Sequence, residues 1–175
     1  MEETRLILVD ELDNEKGVMT KTEAHLSGAL HRAVSVFIVN HEGKWLLQQR
    51  ALSKYHSAGL WTNTCCSHPF PGEPVQKAAS RRLMEEMGIQ AEITPLFSFT
   101  YKEILENGLT EHEFDHVFLG YYDSLPSINP DEVMNYRYLS FDAIKAEIES
   151  NPGNYTVWFR KIFEQVNEHI LNRNQ

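Results

Sequence analysis

Cys66 and His68 stand two residues apart in the stretch Trp61-Thr62-Asn63-Thr64-Cys65-Cys66-Ser67-His68-Pro69. A thiol can give a proton as well as take one, and a nearby metal or cation moves its pKa into a useful range. On these grounds alone either Cys65 or Cys66 is eligible. Pro69, Pro71 and Gly72 rule out a continuous helix or a central strand, so the segment is expected to be irregular. Downstream, Glu111-His112-Glu113 puts two carboxylates on one face of a strand, about 7 Å apart. Such a pair raises its own pKa values unless a cation lies between them. Either a metal sits there or one glutamate holds a proton; the plainer alternative is a solvated edge face.

Upstream, His25 and His31 are six residues apart and share no helical face. A ligand pair made from them needs a loop leading into a strand; the bland reading is one surface and one core histidine. With His68 they give three imidazoles beside the carboxylates Glu111 and Glu113. That set makes a five-ligand site with one position left for water or substrate, and its mixed nitrogen and oxygen donors suit Zn²⁺, Mn²⁺ or Fe²⁺, and Mg²⁺ less comfortably.

A second constellation follows in Gly72-Glu73-Pro74-Val75 to Ile89, where Arg81/Glu85 and Arg82/Glu86 are four apart. As structure these are helix-surface ion pairs of a few tenths of a kcal/mol. As chemistry they set an anion-binding guanidinium beside a carboxylate able to hold Mg²⁺, a combination that suits a diphosphate.

These groups need elements to hold them. Leu6 to Val9 reads as a strand and Asp13 to Gly17 as a turn. Arg32–Val39 and Lys44–Arg50 read as a hairpin around the four-residue turn Asn40-His41-Glu42-Gly43. Pro74 near the start and Gly88 just past the end bracket a helix up to Met87. Strands are expected at about 91–101 and 111–122 around a turn at Glu106-Asn107-Gly108, with a short strand near Arg137–Leu139. Ser140 can cap the helix that follows. Tyr155, Trp158, Phe159, Ile162, Phe163, Val166 and Ile170 recur at helical steps and define the last helix. The reading is α+β, a mixed sheet packed between helices in a single domain over residues 1–175.

Composition narrows the class. The 175 residues carry a formal net charge of −9, which argues against non-specific nucleic-acid binding but not against an anionic small molecule. No run of about 18 apolar residues appears, so no membrane span is expected. The polar, acidic start and two adjacent cysteines point to a cytoplasmic protein with free thiols.

The helix over 72–89 resembles a Nudix box, with Glu73, Arg81, Glu85, Glu86 and Gly88 in register. Ser67 stands where the first glycine belongs, and Arg82 replaces a glutamate that helps hold the catalytic metals of the hydrolases. With the Thr-Asn-x-x-Cys-x-His-Pro motif, Arg50-Ala51-Leu52-Ser53-Lys54 and Glu111-His112-Glu113, residues from about Lys21 to Trp158 resemble type I isopentenyl-diphosphate Δ-isomerases. The resemblance implies a Nudix-like fold and conversion of isopentenyl diphosphate to dimethylallyl diphosphate. It implies one divalent metal (Mn, Zn or Mg) on His25, His31, His68, Glu111 and Glu113, with Glu86 holding the Mg²⁺ that arrives with the diphosphate. Cys66, rather than Cys65, would be the catalytic thiol. Lys21, Arg50, Lys54 and Arg82 would bind the diphosphate, and Tyr101 and Trp158 would flank the reacting carbons. The family chemistry implies protonation from the Glu113 side and proton removal by a Cys66 thiolate. The partner would be a small allylic or homoallylic diphosphate, and the chain a monomer or homodimer. The rival activities are a Nudix hydrolase of a nucleoside or other diphosphate and a Nudix-like binding domain without catalysis.

Overall fold

The structure is a computed structural model and describes residues 3–173. Its spine is β3 (His31–Val39). Along one edge β3 runs parallel to β8 (Thr110–Tyr121), in register from His31 opposite Glu113 to Val39 opposite Tyr121. Its other edge is shared in turn by three strands. These are β1 (Arg5–Val9) at His31, β6 (Cys65–Ser67) at Val34 to Val36, and β4 (Trp45–Arg50) at Ile38 and Val39. Outward lie β2 (Glu15–Thr20) against β1 and β7 (Ile93–Ile104) against β8, while β5 (Trp61–Thr62) and β9 (Val133–Leu139) pair with β4.

Strand alternation sends the two faces of β3 to different cores. Val34, Val36 and Ile38 join Cys65 and Leu46 beneath α2 (Val75–Met87), against Ala79, Leu83 and Met87. Phe37 and Val39 meet α4 (Val157–Arg173) and the preceding α3 (Phe141–Ser150) on the opposite face. Trp158, Phe159, Ile162, Phe163, Val166 and Ile170 are the buried stripe of α4, and each such side chain contributes about 1.5–3 kcal/mol by leaving water. The sheet is thus packed between helices, as expected. Among the described residues no helix is long and apolar enough to cross a membrane.

Several local expectations change. The segment expected to be irregular holds two short strands, because Cys65–Ser67 finds free backbone partners in the middle of β3. The hairpin of β3 and β4 pairs only at its base, Ile38↔Leu46 and Val39↔Trp45; beyond it β4 leaves to pair with β9, which is longer than the strand expected at 137–139. The turn expected at Asp13–Gly17 already contains the start of β2. His25 lies not in a loop but in a helix, α1 (Lys21–Ser27). Thr20 and Glu23 form a reciprocal capping box at its start, and Gly28, at φ +68°, ends it in the left-handed conformation.

Candidate active site

The left-handed turn at Gly28 brings the last turn of α1 back over the start of β3. His25 and His31, with ring centroids 5.1 Å apart, therefore meet although neither a helix face nor a strand joins them. The register His31↔Glu113 places the Glu-x-Glu face of β8 beside them, and the end of β6 delivers His68. His25, His31 and His68 present nitrogens within 4.8 Å of one another, as do His31, Glu111 and Glu113 through their ligand atoms. The side-chain atoms are arranged for an ion. Nδ1 of His25 donates to the Lys21 carbonyl at 2.7 Å and Nδ1 of His31 to the Ala29 carbonyl at 2.9 Å. Each Nε2 is left buried without a hydrogen-bond partner, as is Oε2 of Glu111. Backbone anchoring of one imidazole nitrogen with the other left free is the habit of histidine ligands.

Electrostatics agree with the geometry. Burial would raise the Glu113 carboxyl, but the His31 imidazole, 3.6 Å away, together with Glu111 and the Tyr101 hydroxyl, holds it below the usual carboxylate range and ionised. Burial and the Glu113 charge likewise push Glu111 up, and His25 and His56 pull it further down. Burial, followed by the charges of His31 and Lys21, keeps His68 well below the usual imidazole range and so neutral. Its Nε2 lies 3.0 Å from Oε1 of Glu113.

A cavity of about 220 Å³ opens beside this cluster. Cys66 and Glu113 both line it, with Trp158 and Tyr101. The Tyr101 hydroxyl donates to Oε2 of Glu113 at 2.9 Å, and the Trp158 indole N–H donates to Sγ of Cys66 at 3.1 Å. Cys66 itself donates to Oδ1 of Asn63 at 2.9 Å. Burial, then the charge of Asp115, pushes its thiol up to about 12, which favours the protonated sulfur. Cys65 points the other way. It is fully buried under α2, one residue along the same strand, and alternation alone puts Cys66 and not Cys65 at the cavity.

The opposite end of the cavity is basic. Lys21, Arg50, Lys54 and Arg82 line it. Burial and the charge of Lys54 hold Lys21 below the ordinary ammonium value. Arg50 forks onto the carbonyls of His56 and Ser57, 3.0 and 3.1 Å away, with its guanidinium 5.3 Å above the Trp158 ring. Arg82 bonds Glu85, Glu86 and Glu132 at 2.7, 2.6 and 3.1 Å, and Lys54 also pairs with Glu132. Glu86 is not brought to the cavity wall. It is buried behind Arg82, with its second oxygen held by Gln48 at 2.8 Å.

Sequence reasoning missed four neighbours. Asp115 shares the strand face of Glu111 and Glu113, and its parity was the available signal; it accepts from Ser35 at 2.6 Å, and burial followed by the charge of Glu113 pushes its carboxyl well above the usual range. Asn63 stood in the Thr-Asn-x-x-Cys-x-His-Pro motif but was given no role, and Glu132, far along the chain, carried no spacing signal. His56 had none either, yet it is buried against Glu111, its Nε2 2.8 Å from Oε1.

The family model for the NUDIX domain matches residues 29–159. The isopentenyl-diphosphate Delta-isomerase of Pectobacterium atrosepticum is 52% identical over 166 residues, covering 95% of this chain and 93% of that protein. That of Serratia proteamaculans is 47% identical over 168 residues, covering 96% and 94%. Among solved structures, DR0079 from Deinococcus radiodurans shares the fold with a TM-score of 0.69 at 23% identity, over 83% of this chain and 89% of that one. A MutT Nudix hydrolase from Burkholderia pseudomallei follows at 0.61 and 25%, over 78% and 98%. The nearer likeness is to the isomerases over almost the whole length, and the chain belongs to the isopentenyl-diphosphate Delta-isomerase family within the Nudix superfamily.

Proposed function

We propose that this chain, as one cytoplasmic catalytic domain, interconverts isopentenyl diphosphate and dimethylallyl diphosphate, with the alkene held between Cys66 and Glu113. The observation that carries the reading is a single cavity with a thiol and a metal-poised carboxylate in its wall and a basic end for an anion. His25, His31, His68, Glu111 and Glu113 would hold one divalent ion; zinc or manganese fits a set of three imidazoles, two with a free Nε2, better than magnesium. When bound, that ion would make the Glu113 side a stronger acid and lock its geometry. Glu86 would reach the Mg²⁺ of the diphosphate only if Arg82 turns from it toward the phosphates.

The diphosphate does not react. Lys21, Arg50, Lys54 and Arg82 anchor it, and that binding energy fixes the alkene in line with the acid and base. An unactivated alkene is a very poor base, so the proton donor must be aimed and dry. Cys66 donates to Asn63 and so carries a proton, and ionised Glu113 accepts a hydrogen bond from the Tyr101 hydroxyl. In that state Cys66 is the group able to give and Glu113 the group able to take. The reverse direction begins from the complementary state, in which Glu113 or Tyr101 gives and the thiolate takes. The cation formed between them is tertiary, and the Trp158 ring face is available to it. The Trp158 N–H steadies the sulfur whenever it is negative.

The test is proton exchange. Incubation with isopentenyl diphosphate in deuterated water should place deuterium in both isomers. Release of phosphate, with neither isomerisation nor exchange, would instead show a diphosphate hydrolase and sink this reading.

A further inference from the structure

Four of the five proposed ligands of the ion have a second partner that fixes their orientation. Backbone carbonyls hold Nδ1 of His25 and of His31, and the Tyr101 hydroxyl holds Oε2 of Glu113. For Glu111 that place is taken by a side chain from a loop remote in sequence. We propose that His56 is the positioning residue for Glu111: its Nε2–H fixes Oε1 and leaves Oε2 as the free donor of the site. The inference rests on the metal site of the proposed function and deepens it.

Three observations carry it. Nε2 of His56 lies 2.8 Å from Oε1 of Glu111, and both side chains are almost wholly buried. The Ser57 hydroxyl lies 3.3 Å from Nδ1, and when it donates there the ring proton is fixed on Nε2. Oε2 of Glu111 is buried with no hydrogen-bond partner, an expensive arrangement unless something fills it. The imidazole cannot drift, because its own backbone is clamped. The Arg50 fork holds the carbonyls of His56 and Ser57, and Glu106 takes the Ser57 N–H at 2.6 Å. The ring also stands edge-on to Trp158, centroids 6.0 Å apart. Arg50 thus ties the anion end of the cavity to the carboxylate that completes the metal end.

His56 fixes the carboxylate through one N–H, so the replacement that keeps a donor in the same place should keep the function. Gln can set its Nε2 near that of the imidazole; Leu fills the space with no donor, and Asn is one methylene too short. Divalent-ion affinity is measured on purified protein by competition with a chelator, using zinc and manganese separately, alongside kcat and KM. His56→Leu is expected to weaken the ion by about 10–100-fold, the usual cost of losing an outer partner of a ligand, and to lower kcat while KM for the diphosphate moves little. His56→Gln is expected to stay within about threefold of the wild type. His56→Asn should resemble the Leu variant, which keeps the comparison usable if Leu impairs folding. Wild-type affinity in both His56→Leu and His56→Asn would make His56 a packing residue against Trp158 and overturn the proposal. Equal loss in Gln and Leu would make His56 a ligand itself and overturn it too. If the wild type isomerises yet binds neither ion, the metal reading falls with the proposal; normal ion binding in all three variants removes the proposal alone.

Discussion

Trp158→Phe separates the two duties assigned to Trp158. The substitution deletes the indole N–H that reaches Sγ of Cys66 at 3.1 Å and keeps an aromatic face toward the cavity and toward Arg50. In the resting protein the bond joins a neutral donor to a neutral thiol, worth about 0.5–1.5 kcal/mol. When the sulfur carries charge during turnover, the same bond belongs to the charged class, about 1.5–3 kcal/mol. The difference, about 1–2 kcal/mol, acts only along the reaction coordinate, and at about 1.4 kcal/mol per tenfold it lowers kcat roughly 5–30-fold. KM for the diphosphate should change less than about threefold, because Arg50 keeps a ring beneath it. Urea unfolding should record a loss of about 1–2 kcal/mol from the lost bond and the smaller ring. Steady-state kinetics beside the unfolding curve decide the matter. A variant with wild-type kcat and reduced stability would refute the reasoning, since the N–H would then be packing and not charge stabilisation.

Cys66→Ala should abolish isomerisation with the fold intact, while Cys65→Ala, on the α2 side of the same strand, should keep turnover and lose stability from a small cavity; a proton-exchange assay and a thermal melt distinguish them. Glu73→Gln should cost about 1 kcal/mol at pH 7, because Arg81, bonded at 2.7 and 2.8 Å, holds the Glu73 carboxylate below its usual range. A depressed folded pKa stabilises above the unfolded value and is lost as pH falls through the folded one, so the two unfolding curves should converge below about pH 4; a gap that persists there would contradict the assignment. Gly88→Ala should destabilise by at least about 2 kcal/mol, since φ is +63° and a Cβ would meet the Ser127 carbonyl oxygen at 2.5 Å. The same strain should loosen the turn whose Asn129 N–H bonds the Glu86 carbonyl, so KM should rise with the loss of stability; unchanged urea midpoint and KM would count against it.

The parts of this molecule that were legible share one property: their signal is local. The stripe on α4, the Gly88 stop of α2 and the shared face of Glu111 and Glu113 each follow from a single period along the chain. His25 does come into the cluster, but from a helix and not from the loop expected. The capping box Thr20-Lys21-Thr22-Glu23 was readable, yet seven residues of helix leave too short a stripe to register. The paired strand at Cys65–Ser67 was hidden because its hydrogen bonds come from the middle of β3, and no local pattern announces a borrowed edge. His56 was invisible for a related reason. Its partner Glu111 is 55 residues away, and the loop that carries it is ordered by Arg50 and Glu106 and not by a propensity of its own.

The register of β3 against β8 has a consequence for how the protein acquires its site. His31 and Glu113 are neighbours only in a parallel pairing that joins residues 82 positions apart. A slip of one residue would turn Glu111, Glu113 and Asp115 together to the α2 side of the sheet. Parallel pairing over such a span closes slowly, because the chain entropy of the loop is lost before any contact returns it. Ions that bind the native set of side chains would then recognise only chains in which this junction has closed correctly. Saturating ion should therefore raise the free energy of unfolding by mass action, and should slow the opening of β3 from β8 more than it speeds their meeting.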